Sequence, residues 1–95
     1  MILVIVEATF EDANIEKAVE IFEAQAVAVR QLNGCESYAL YRGQNDVAIV
    51  QKWQDMAKFD AYRSGEIFAA LGQDLKPMMS VPPVTTIGQV ADEAG

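Results

Sequence analysis

No histidine occurs among the 95 residues, and cysteine occurs once, at Cys35. A lone thiol closes no disulfide within the chain, and a Cys/His metal site has no histidine to draw on. Basic residues are also scarce: seven Lys and Arg stand against fourteen Asp and Glu, for a net charge of −7. The seven are scattered singly, which argues against a nucleic-acid partner, because such binding takes clustered cations to displace counterions. The same scatter makes no polybasic patch for an anionic membrane surface. No apolar run approaches the roughly 18 residues of a membrane span. The opening MILVIVEATF is apolar, but it has no basic segment or small-residue cleavage site, and Glu7 interrupts it. It reads as a strand rather than an export signal. With one unpaired thiol, the expected compartment is the cytoplasm.

What is present is apolar. Hydrophobic residues make up 52% of the chain and charged ones only 22%, a rich apolar content for its length. One domain over residues 1–90 fits this length, with a flexible polar tail over 91–95. A core this small is often supplemented by disulfides, metals or oligomerisation. The first two lack ligands here, so a partner subunit is the expected supplement.

Ile2 to Thr9 is β-branched and nearly all apolar, the pattern of a strand buried on both faces. EDAN follows as a turn in which Asp12 or Asn14 can cap the next helix. Ile15, Ala18, Val19, Phe22, Ala26 and Val29 then recur at helical spacing, with Glu16, Lys17, Glu20, Glu23 and Arg30 opposite. The helix is expected to close at Asn33–Gly34, residues that tolerate a left-handed conformation. The stretch GCESYALYR alternates, with Cys35, Ser37, Ala39 and Tyr41 on one side and Glu36, Tyr38, Leu40 and Arg42 on the other. The strand proper is expected over Tyr38–Arg42. After a GQND hairpin turn, Val47, Ile49, Gln51 and Trp53 share one face of the return strand. Asp55 caps a short helix bearing Met56, Phe59 and Tyr62, which RSG breaks. Ile67, Phe68, Leu71 and Leu75 make a second helical piece ending at Lys76–Pro77. The last strand is expected over Val84–Val90.

The order is β-α-β-β-α-β, an α+β ferredoxin-like sandwich: an antiparallel sheet with helices on one face. Two strands are apolar on both faces, so the uncovered face would be a large exposed apolar patch. A second copy presenting the same face is the simplest cover, giving a homodimer built as an α/β barrel.

GCESYALYR followed by VAIVQKWQDMAKFDAYRSGEIFAAL resembles the antibiotic biosynthesis monooxygenase family of small dimeric α+β barrels. The family pattern is a Gly-Cys before a Tyr-rich strand. A later strand then ends in an acidic or amide residue, one residue and Trp, before an acid-capped helix. The resemblance covers essentially the whole chain. It implies a cofactor-independent oxygenase of quinols or polyketide-like aromatics, with no metal. Active relatives carry histidines in the helix after the Trp strand, where this chain has Tyr62 and Glu66. Haem-degrading relatives need an asparagine where Glu7 lies and a histidine for iron, so haem ligation by that scheme fails here.

Each candidate has a functional and a structural reading. Trp53 either stacks on an aromatic ligand or fills the core with its indole N–H on a carbonyl. Tyr62 either donates to a phenol or quinone oxygen or is a core tyrosine with its hydroxyl at the rim. Phe59 and Phe68 would complete an aromatic wall. Tyr38 and Arg42 share a strand face and could hold an enolate oxygen, though an arginine at a strand end more often pairs with a surface carboxylate. Glu7 could be a base only in a dry pocket. Cys35 has neither a histidine nor a basic neighbour to lower its pKa and reads as a small buried thiol rather than a nucleophile. Met78 and Met79 read as malleable packing. No phosphate loop, nucleophile triad or paired metal carboxylates appear. The alternative to catalysis is a homodimer of the same fold that binds a small aromatic ligand.

Overall fold

The apolar N-terminal run forms strand β1 (Ile2–Thr9), and it lies inside a four-stranded sheet rather than at an edge. A computed structural model describes residues 1–92; the end of the expected tail, residues 93–95, lies outside the described residues. After β1 come α1 (Ile15–Val29), β2 (Cys35–Arg42), β3 (Asp46–Trp53), α2 (Met56–Arg63), α3 (Glu66–Leu75), a 3-10 turn (Lys76–Met78) and β4 (Val84–Gln89). The sheet order is β2-β3-β1-β4 with every pair antiparallel, the ferredoxin-like plan that the element order implies. The second helical segment is two helices, α2 and α3, parted at Ser64–Gly65 as the RSG break predicts.

The strand pairing decides which residues meet the helices. Val47, Ile49, Gln51 and Trp53 are all buried and face the helical layer with Ile2, Val4 and Ala8 of β1. From α1 the buried residues are Ile15, Ala18, Phe22, Ala26 and Val29, the stripe that helical spacing marks. Alanines in that stripe bring the helix close to the sheet. Phe10 and Phe22 meet edge to face, with ring centroids 6.2 Å apart.

Four expectations are corrected. Asn14 occupies the cap position of α1 but makes no capping hydrogen bond. Its backbone is itself helical, which turns the side chain away from the free amides, and Nδ2 donates instead to the Met78 carbonyl at 3.4 Å. The regular helix ends at Val29, and i→i−3 turns carry the chain on to Gly34, which reverses it at φ 89°. Met56 is exposed rather than part of the apolar stripe of α2. Finally, β2 begins at Cys35, and a bulge between Cys35 and Ser37 breaks the alternation. Cys35 pairs with Trp53 while Tyr38 pairs with Gln51, so both lie on the helical side; only Ser37, Ala39 and Tyr41 take the other.

Among the described residues, nothing covers that other face. Leu3 and Ile5 of β1, Val50 of β3 and Ala39 of β2 sit side by side with no layer above them. The edge strand β4 is exposed along its whole length; even Ile87, which faces the helical side, is 41% accessible. No helix among the described residues is long and apolar enough to cross a membrane.

Candidate functional site

Trp53 ends β3, and the chain turns at once into α2, so the indole is set where strand, helix and the α1–β2 turn converge. The turn is held at both sides. Gln54 donates its N–H to the Gly34 carbonyl at 2.8 Å, and the Asp55 carboxylate accepts from the Lys58 N–H at 2.9 Å. The cap that the sequence predicts at Asp55 is therefore the device that fixes α2 against Trp53.

Phe59 and Tyr62, three residues apart on α2, both point at the indole. Tyr62 stacks on Trp53 with centroids 5.1 Å apart and planes 21° from parallel, while Phe59 tilts against it at 5.9 Å. Phe68 of α3 meets the Tyr62 ring edge to face at 5.4 Å. Trp53 is completely buried, and its Nε1–H donates to Gln51 Oε1 at 2.9 Å. The tryptophan is thus a core residue, as its structural reading has it, with one face already covered by Tyr62. Among the described residues, Gln51 is the one buried polar side chain, and its amide fixes the indole orientation. A polar residue on a face otherwise made of Val47, Ile49 and Trp53 is the signal that marks it in the sequence.

The phenols of Tyr38 and Tyr62 lie close enough to each other and to Cys35 for each to influence the other's titration. Burial pushes both above the ordinary tyrosine value, and burial likewise raises the Cys35 thiol. All three are neutral at neutral pH, so they can donate hydrogen bonds and cannot serve as bases there. Arg30, at the end of α1, donates from Nε to the Tyr38 carbonyl at 3.0 Å and so ties that helix to β2.

A groove of about 430 Å³ opens over this cluster, lined by Leu32, Asn33, Trp53, Lys58, Ala61, Tyr62, Gly65, Glu66 and Ile67. Its floor is the Trp53–Tyr62 stack, its walls are apolar, and Asn33, Lys58 and Glu66 supply the polar rim. The structure brings Trp53, Tyr62, Phe59, Phe68 and Tyr38 into one cluster. Arg42 stands apart at the other end of the sheet, opposite Val47, about 20 Å from Trp53 at roughly 3.3 Å per strand residue. Its Nη1 pairs with Glu16 at 2.9 Å on the surface. Glu7 is exposed on the bare sheet face, at a shallower hollow of about 200 Å³ shared with Tyr41 and Ala48. Among the described residues, no cluster of His, Cys, Asp and Glu could hold a metal ion.

A family model of antibiotic biosynthesis monooxygenases matches residues 1–73. No curated protein matches the sequence. Among solved structures, the chain is similar to Rv0793 from Mycobacterium tuberculosis, at TM-score 0.92 and 18% identity over 99% of this chain and 98% of that one. A structure described as an antibiotic biosynthesis monooxygenase matches at TM-score 0.89 and 18% identity, over 97% and 100% of the two chains. A conserved protein from Methanosarcina mazei matches at TM-score 0.88 and 13% identity, over 93% and 90%. At such identities the likeness is one of fold.

Proposed function

The chain belongs to the antibiotic biosynthesis monooxygenase family, and on that premise we propose that it oxygenates an electron-rich aromatic, a quinol or polyketide-like phenol, without a cofactor. The observation that carries this reading is the groove whose floor is the Trp53–Tyr62 stack. A planar ligand there lies against aromatic and aliphatic walls within reach of the Tyr62 hydroxyl. The substrate supplies the chemistry. Once a ring-activated CH₂ is deprotonated, its enolate reduces O₂; one oxygen atom stays on that carbon as a new carbonyl, and the other leaves as water. The protein contributes a dry site and a neutral phenol donor that stabilises the enolate oxygen. With no histidine and both buried phenols neutral, the proton passes to solvent, so the rate follows the ionisation of the substrate.

Oxygen uptake with a panel of hydroquinones and anthrone-type phenols tests this. Tyr62→Phe keeps the ring stack and removes the donor, and it should lower uptake about tenfold to a hundredfold. Equal uptake by both proteins across the panel would turn the reading to its alternative, a binding protein without catalysis. The specific support for that alternative is that the groove holds no histidine and its buried phenol stays neutral, leaving Glu66 at the rim as the carboxylate it offers. In either case, the bare sheet face is proposed to pair with a second copy. The single unpaired thiol of Cys35 fits a reducing compartment such as the cytoplasm.

A further inference from the structure

We infer that the groove takes its aromatic ligand as a carboxylate and that Lys58 supplies the opposing charge. This deepens the groove reading above and rests on it. Lys58 is half-buried and lines the groove, yet it makes no ion pair among the described residues. Three cations of the outer surface behave differently: Lys17 pairs with Glu20, Arg42 with Glu16, and Arg63 with Asp60.

Two features hold Lys58 in place before any ligand arrives. Its N–H is bound by the Asp55 cap at 2.9 Å, which fixes its Cα. Its aliphatic stem lies across Gly34, so closely that a Cβ on that glycine would come within 2.5 Å of Lys58 Cβ and Cγ. A lysine stem pinned along its length loses less rotamer freedom on binding, and its ammonium stays at the groove rim.

Among the described residues, Glu66 is the one carboxylate on the same rim, and it is accounted for elsewhere. It lies in the first turn of α3, whose cap residue, Gly65, has no side chain to offer the free amides. Its charge therefore complements that helix terminus, leaving Lys58 as the uncompensated charge of the groove. One lysine without an arginine fork suits a monoanion better than a phosphate dianion, which a chain of net charge −7 also repels. The apolar walls call for a flat hydrophobic body behind the acid group.

The test is a matched pair of probes, 2-naphthoate and 2-naphthylmethanol, titrated into the full chain and followed by amide and indole NMR shifts. Naphthoate should bind about tenfold more tightly than the alcohol, shifting the Trp53 indole and Lys58 and Ile67 amide signals. Lys58→Met keeps the stem over Gly34 and removes the charge, so it should abolish the preference. Lys58→Arg should retain it, and unchanged spectral dispersion would show both variants folded. Equal binding of the two probes, or a preference that survives Lys58→Met, overturns the inference and leaves the groove as a neutral-ligand site. Failure of both probes to shift the groove signals overturns the groove reading and this inference with it.

Discussion

Tyr38 and Tyr62 each keep a phenol inside a small protein beside the other, and each holds its proton more tightly than an exposed tyrosine does. The consequence for stability has a definite sign. The unfolded chain releases these protons near the ordinary value of 10.0, while the folded chain retains them above it. Their contribution is therefore complete below about pH 10 and is lost as the pH climbs toward the folded values. Tyr62→Phe removes one of these titrations and leaves Cys35 in place. Its melting temperature should fall less steeply than that of the parent between pH ~9.5 and ~11.5. Parallel melting curves across that range would deny Tyr62 a buried, raised titration. Of this cluster, Trp53, Tyr62, Phe59 and Phe68 are legible from helical spacing and the Gln-Lys-Trp strand end. That Tyr62 lies on the tryptophan face a ligand would use is not legible, because stacking depends on the angle at which α2 leaves the sheet.

At the scale of elements, the joint between the α1–β2 turn and the start of α2 does the most positioning. Gly34 takes a φ of 89°, where a side chain is strained, and it also leaves the space that the Lys58 stem fills. Gly34→Ala meets both obstacles and should cost about 2 kcal/mol in chemical denaturation. Asp55→Ala, which removes only the cap, should cost about 1 kcal/mol. A Gly34→Ala loss no larger than that of Asp55→Ala would mean that the lysine moves aside freely. The sequence places a stop at Asn33–Gly34 and a cap at Asp55 because both follow from local backbone chemistry. The contact between Gly34 and Lys58 carries no such mark. Nor does the bulge after Cys35: GCESYALYR alternates evenly, and only its pairing with β3 places one residue out of register.

For the whole molecule, the unresolved surface is the bare side of the sheet together with β4. Leu3, Ile5 and Val50 form a continuous apolar strip, and Val84 and Ile87 leave β4 exposed on both sides. Such a face, beside an unprotected sheet edge, is where the proposed second copy would pack. A two-fold pairing of sheets would cover it. Light scattering of the parent chain at micromolar concentration should give twice the mass of one chain. Ile5→Glu places like charges against each other across the two-fold and should give a single-chain mass with its circular dichroism intact. A parent chain that is already monomeric would remove the dimer from the account.

Periodicity, caps and turn residues determine the element order, the sets of residues that share a face of β3 and the excess of apolar surface. Each of these is written within a few neighbouring residues. Only the tertiary structure decides that Trp53 is sealed by Tyr62 and Gln51, that Arg42 lies far from that cluster, and that Lys58 reaches a groove with no ion pair among the described residues. These features arise where separate elements cross, and the distances between them are set by packing rather than by spacing along the chain.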